Sequence, residues 1–212
     1  MTVLSLCAGN ATRFNGELKQ LLPIGGGETI LGRQLRQVKN FGVPEEDIFV
    51  VTRSAEIVEY TAKLGIQTEY PSSCSKTCDT ALSTHKLWGE KTVILLGDVI
   101  YSNDVIKIIL SVDTPIKFFG DLWEIYAVAF NTHFVARRAF TLGNEKSDYG
   151  KLRHAYRGLI GKSYDRKENI KMLKGERLFH YVDSWVTRDC DTPTEYENIK
   201  KELVNTGALS FY

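Results

Sequence analysis

The chain has 212 residues, of which 43% are hydrophobic and 25% charged, a balance ordinary for one soluble globular domain. Its 27 basic and 26 acidic residues leave a net charge of +1, which gives no electrostatic reason to expect a nucleic-acid or anionic-membrane partner. No apolar run approaches the roughly 20 residues of a membrane span, and the start, "MTVLSLCAGNATR", lacks the basic lead of a secretion signal.

In chain order, "TVLSLCA" reads as a buried strand beginning almost at residue 1. "TILGRQLRQVKNFG" repeats Leu31, Leu35 and Val38 at helical spacing among basic residues. "DIFVVT" is a second buried strand, and "SAEIVEYTAKLG" a helix capped by Ser54 and stopped at Gly65. A weaker strand, "IQTEYP", and a short helix, "TALSTHKLWG", lead to "KTVILLGD". The continuous apolar run Val93 to Leu96 is what a central strand buried on both faces requires. This strand–helix alternation predicts an α/β sandwich with a mainly parallel sheet.

The second half is less regular. "PIKFFGDLWEIYAVAFN" reads as two close strands around Gly120 and Asp121, an antiparallel addition to the sheet. Residues 144–175 are rich in charge and tyrosine and are expected to be helical and loop material over an open face of the sheet. "RLFHYVDSWVTRDCD" returns to strand, and "TPTEYENIKKELVNTG" closes the chain as a helix. No repeat or linker divides the chain, so 1–212 reads as one domain in which 135–175 is a separate segment on one side.

The four cysteines, Cys7, Cys74, Cys78 and Cys190, are too few and scattered for a disulfide framework. Cys74 and Cys78 with His85 lack the second pair that a zinc site needs. Reduced thiols in a cytoplasmic protein are the expectation.

Ligands of open parallel sheets collect at the carboxyl ends of the strands. Three such loops carry unusual polar residues. In the middle one, Asp98 follows Gly97 at the end of the most buried strand, where a carboxylate is costly unless a cation compensates it. Ser102 and Asn103 are better placed than Asp98 to cap the next helix, so Asp98 is a candidate metal or ligand group. In the last loop, Thr192-x-x-Glu195 with Pro193 forms a capping box, and Asp189 and Asp191 lie just before it. Residues two apart in an extended segment share a side, so both carboxylates can converge on a divalent cation such as Mg²⁺. In the first loop, small residues from Cys7 to Ala11 let backbone N–H groups approach an anion, and Arg13 and Lys19 supply cations for a polyphosphate. Neither common phosphate-loop spacing is present.

Together these residues resemble a known family. "LCAGNATRFNGELKQLLPI" is similar to the signature of the nucleotidyltransferases with the GT-A-type fold, which has small-small-Gly, a short linker, Arg, and a Lys before "LLPI"-like text. "ETILGRQLRQV", "LLGDVIYS" and "TRDCDTPTEYE" extend the resemblance over residues 1 to about 130 and 178 to 200. The superfamily includes sugar-phosphate, molybdenum-cofactor, phosphocholine and methylerythritol-phosphate nucleotidyltransferases. The resemblance implies a three-layer α/β/α sandwich with a mixed, mainly parallel sheet. It also implies an enzyme that transfers NMP from an NTP to a small phosphorylated acceptor and releases pyrophosphate, with a lean to CTP and with Mg²⁺ as cofactor. Ala8, Gly9, Asn10, Ala11, Thr12 and Arg13 would hold base and triphosphate, and Lys19 would contact the reacting phosphates. Asp98 would hold the metal with Asp191 and Asp189, while Asp79 and Thr80, in "CDTALS", would border the nucleoside. The chain departs from the pattern at Cys7, Ala11 and Leu18, none of which removes a charged group.

Two other readings stay open. A GT-A-type glycosyltransferase usually shows Asp-x-Asp after the central strand, where this chain has only "GDVIYS". A catalytically silent nucleotide-binding module would have little reason to keep Arg13, Lys19, Asp98 and Asp191 together. Lys146, Lys151, Arg153, Arg157, Lys162, Arg166 and Lys167, with Tyr149, Tyr156 and Tyr164, form either a solvated face or an acceptor lid. Self-association into a homo-oligomer is left open.

Overall fold

The computed structural model describes residues 1–9, 17–121, 123–145, 147–148, 150–161, 177–182, 187–189 and 192–205; at 188, 189, 204 and 205 only the backbone is considered. The main sheet contains β1 (Thr2–Leu6), β4 (Ile48–Val51), β5 (Gln67–Glu69), β6 (Thr92–Leu96), β8 (Lys117–Gly120), β9 (Ile125–Phe130) and β10 (Phe179–Tyr181). Their order is β10-β8-β9-β6-β1-β4-β5. β1 pairs in parallel with β4 and β6, and β4 with β5. β9 runs antiparallel to both β6 and β8, so the sheet is mixed, as the two close strands around Gly120 predicted. Within the described residues, "RLFHYVDSWVTRDCD" forms two short strands in different sheets. β10 pairs with β8, and β11 (Arg188–Asp189) pairs antiparallel with β7 (Val99–Ile100).

Side-chain alternation along the strands explains the three layers. Val3 on β1 and Val93 and Leu95 on β6 face α1 (Ile30–Asn40), α2 (Ala55–Lys63) and α4 (Asn103–Ser111). Leu4 and Leu6 on β1 and Ile94 on β6 face α3 (Thr77–Ser83), α5 (His133–Glu145) and α6 (Leu152–Leu159). α3 begins three residues before the "TALSTHKLWG" segment and stops at Ser83, and a 3₁₀ turn covers His85–Leu87. Gly25, Gly26 and Gly27 all take positive φ in the hairpin of β2 (Pro23–Gly25) and β3 (Glu28–Thr29), which feeds α1. That hairpin makes a satellite core with α7 (Pro193–Asn205) through Ile24, Tyr196 and Ile199. Ser54 caps α2, and Thr192 accepts from the Glu195 N–H at the start of α7, as the two cap signals predicted.

Among the described residues no helix is long and apolar enough to cross a membrane.

Candidate active site

β1 and β6 end side by side, and the site grows from that junction. The Gly97 N–H donates to Leu6 O at 3.0 Å. A Cβ at Gly97 would collide with Cys7 Sγ, so only glycine lets the β6 turn close onto β1. Burial pushes the Cys7 thiol up to about 12, which makes it a packing group rather than a nucleophile.

The turn is braced from behind. Gln34, 1% exposed on α1, donates to Leu96 O at 3.0 Å and accepts from Ser5 Oγ. The Tyr101 hydroxyl accepts from the Leu96 N–H at 3.1 Å and donates to Tyr126 O at 2.7 Å. Gln37 donates to Tyr101 O at 3.0 Å and to Asn103 Oδ1 at 2.8 Å. Two core-facing glutamines on a helix would be costly if unpaired. Here their amides fix the backbone on both sides of Asp98.

Asp98 itself does not cap α4. Ser102 does, accepting from the Val105 N–H at 3.3 Å. Asp98 Oδ2 instead lies 3.8 Å from Nζ of Lys19, whose side chain is only 11% exposed. The register of β11 on β7 places Asp189 across from Val99, the residue after Asp98. Lys19 therefore meets the Asp98 turn, and the Asp189 backbone runs beside the residue that follows Asp98.

Ala8, Gly9, Lys19 and Asp98 line a cleft of about 700 Å³ at this junction. One bank, beyond β4 and β5, holds Arg53, Ser72 to Thr77, and Thr80. Arg53 is fixed by Pro71 O at 2.8 Å and Ser72 O at 3.0 Å and lies over the Tyr70 ring. Lys76 is held by Asn144 O and Ser147 O at 3.1 and 3.0 Å. The other bank holds Glu124, Ile125 and Tyr126 at the head of β9, with Lys151 and Leu152 at the head of α6. Among the described lining residues, Lys19, Arg53, Lys76 and Lys151 oppose Asp98 and Glu124, four cations to two carboxylates. Such a cleft is suited to a polyanion.

Asp79 and Thr80 separate. Thr80 lines the cleft, whereas Asp79 is not on its lining and accepts from Ser75 Oγ at 2.7 Å and Asn144 Nδ2 at 2.5 Å. Neighbouring helical residues diverge by about 100°, so both cannot face one ligand. Asn10, Ala11, Thr12, Arg13 and Asp191 lie outside the described residues. Among the described residues no group of three or more His, Cys, Asp and Glu gathers as a ready metal cage. Arg53 and Glu124 were missed by sequence reasoning. Arg53 follows a strand's carboxyl end and was findable by that rule. Glu124 precedes an antiparallel strand and was not.

The family model for the MobA-like NTP transferase domain matches residues 3–114, more than half of the chain. No curated protein matches the sequence. Among solved structures, the chain is similar to a nucleotidyl transferase from Methanothermobacter thermautotroptrophicus, with a TM-score of 0.70 at 16% identity over 97% of this chain and 98% of that one. It is also similar to the inositol-1-phosphate CTP transferase from T. maritima, with a TM-score of 0.61 at 12% identity, covering 95% and 96%. The CTP:phosphocholine cytidylyltransferase from Streptococcus pneumoniae gives 0.56 at 14% identity, covering 95% and 98%. At these identities the likeness is one of fold. The family model carries the assignment: the chain belongs to the MobA-like NTP transferase domain family and is a nucleotidyltransferase.

Proposed function

We propose that the cleft binds an NTP with Mg²⁺ and transfers its NMP to a small phosphate monoester, releasing pyrophosphate. The observation that carries this reading is the Lys19–Asp98 pair at the β1–β6 junction, facing a cleft with an excess of cations. Lys19 is placed to neutralise charge on the phosphates as they separate, a role that needs position rather than a protein nucleophile. The small residues Ala8 and Gly9 admit the triphosphate close to the backbone. Of the described thiols, Cys7 and Cys78 are buried, and burial pushes both up to about 12.

The donor chemistry fits a hard cation. Asp98 supplies a carboxylate oxygen at the strand end, and the β11 register brings Asp189 within one residue of it. Asp98, with Asp189 and Asp191, would hold Mg²⁺, which when bound supplies neutralisation of phosphoryl oxygens.

The lean to CTP is supported by the inositol-1-phosphate CTP transferase and the CTP:phosphocholine cytidylyltransferase, both of which share this fold. The acceptor is read as a phosphate monoester bound at the Glu124–Lys151 bank, where the Lys151 ammonium borders the cleft. A cytoplasmic location is the setting expected from reduced thiols. A glycosyltransferase reading has no specific observation in its favour.

A thermal-shift panel of the four NTPs, with and without Mg²⁺, tests the reading. Ligand at 100 times its Kd raises apparent stability by about 2.7 kcal/mol, so the preferred base stands out, and more strongly with Mg²⁺. No shift with any NTP at millimolar concentration overturns it.

A further inference from the structure

The antiparallel ladder between β6 and β9 runs from Thr92 opposite Phe130 to Leu95 opposite Ala127. One step further along that register stand Leu96 and Tyr126, both on the cleft lining, and there a side chain comes between the strands. Successive N–H groups of a strand point to opposite edges. The Gly97 N–H goes to Leu6 O on β1, so the Leu96 N–H points toward β9. It donates to the Tyr101 hydroxyl at 3.1 Å, and that hydroxyl donates to Tyr126 O at 2.7 Å. Two hydrogen bonds in series join the strand ends where a ladder would use one. The tyrosine is 1% exposed, and Gln37 holds its backbone by donating to Tyr101 O at 3.0 Å. Each end of the link leads into the site. Leu96 lies two residues before Asp98. Tyr126 is tied to the turn that opens β9: its hydroxyl donates to Asp121 Oδ2, and Asp121 Oδ1 accepts the Trp123 and Glu124 N–H groups at 2.6 and 2.8 Å.

We infer that Tyr101 is a positioning residue for nucleotidyl transfer, its hydroxyl setting the gap between the Asp98 turn and the head of β9 and so the span over which acceptor meets nucleotide. Tyr101 is not among the described lining residues, and it acts through the two backbones that it joins. Transfer forms a bond from an acceptor phosphate oxygen to the α-phosphorus and breaks the α–β bridge, pyrophosphate leaving with the electron pair. That step needs the reacting atoms about 3–3.5 Å apart, and a misplacement of about 1 Å can cost roughly 10²-fold. A spacer between the banks therefore governs the rate of transfer more than the affinity of either bank for its own ligand. The inference rests on reading the cleft as the site of nucleotidyl transfer, with nucleotide on the Asp98 side and acceptor on the Glu124 side.

Tyr101→Phe tests it, since it keeps the ring and removes the hydroxyl. Pyrophosphate release is followed with the preferred NTP, Mg²⁺ and, as acceptor probes, glycerol phosphate, glucose 1-phosphate and phosphocholine. Calorimetry gives the Kd of an α,β-methylene analogue of that NTP and of the most active probe. The expected result is a kcat lower by about tenfold or more, while both Kd values move less than about threefold, a split that marks an interaction made in transfer alone. Ile57→Val trims a fully buried side chain on α2 and should leave kcat within about twofold, which separates positioning from a general loss of stability. Gln37→Met releases Tyr101 O but keeps the hydroxyl, and should lower kcat about threefold or more with the same split. A smaller fall in kcat for folded Tyr101→Phe overturns the inference, as does a loss carried by either Kd or one shared by Ile57→Val. Where Tyr101→Phe does not fold, an unchanged kcat in Gln37→Met overturns it. An unaltered protein that binds no analogue, or releases no pyrophosphate with any probe, removes the underlying reading and the inference together. Full turnover by Tyr101→Phe removes the inference alone.

Discussion

On the β1–β6 side of the cleft, the Asp98 turn is held by buried backbone contacts: Leu96 is clamped by Gln34 and Tyr101, and Gly97 closes onto Leu6. On the β9–α6 side, Glu124 and Lys151 are held mainly by each other and by Arg153, with the lysine side chain 41% exposed. A buried hydrogen bond that loses its partner costs about 1–3 kcal/mol, whereas an exposed ion pair contributes about 1 kcal/mol or less. The first side is therefore rigid and intolerant, and the second is adjustable. A transferase that must place phosphates accurately, yet choose its acceptor, has reason to divide its cleft this way.

Breaking the rigid side should have the largest effect. Lys19→Met removes a cation that is 11% exposed and aimed at the Asp98 carboxylate. Turnover measured by pyrophosphate release should fall about 10²–10³-fold, the scale seen when one charge-stabilising donor is removed, with little change in melting temperature. Gly97→Ala should act on fold and activity together. Its methyl must displace Cys7 Sγ, and overpacking of this kind costs about 1–3 kcal/mol in denaturant unfolding. Gln34→Met keeps the volume but leaves Leu96 O without its amide partner. Stability should drop by about 1–3 kcal/mol, and turnover about tenfold. If Gln34 acts through Asp98, the turnover loss should largely vanish when Asp98 is already alanine, as a double-mutant cycle would show.

The smallest effect concerns pH on the adjustable side. Burial, then the nearby cations Arg153, Lys151 and Arg157, lowers His154 from 6.5 to about 4. The folded state thus favours neutral imidazole. Its contribution is fully present above pH 6.5 and is lost as pH falls toward 4. Thermal melts should show a stability decline across that window, and His154→Ala should flatten it.

Much of this was legible in the sequence because the responsible physics is local. Strand and helix periods fixed β1, α1, β4, α2 and β6, and the strand-end rule led to Ala8, Gly9, Lys19 and Asp98, which the structure brings to one cleft. The misses have physical causes. Glu124 sits at the head of β9, and an antiparallel strand brings its start, not its end, to the ligand edge of the sheet. Lys151 stood in a charged stretch that equally suits solvent, and only the fold places it on the cleft. Asp79 was paired with Thr80, yet α3 rotates it onto Asn144 of α5. The Gln34 and Gln37 brace was hidden inside an amphipathic pattern, because a buried glutamine shows its partners only in three dimensions.

The most direct measurement is pyrophosphate release from the preferred NTP with Mg²⁺ and a panel of phosphate monoesters, comparing the unaltered protein with Asp98→Ala. The account predicts release that depends on both NTP and acceptor, and a drop of at least about 100-fold in the variant while its melting temperature holds. Release by Asp98→Ala within twofold of the unaltered protein, or no release with any pairing of NTP and monoester, would contradict it.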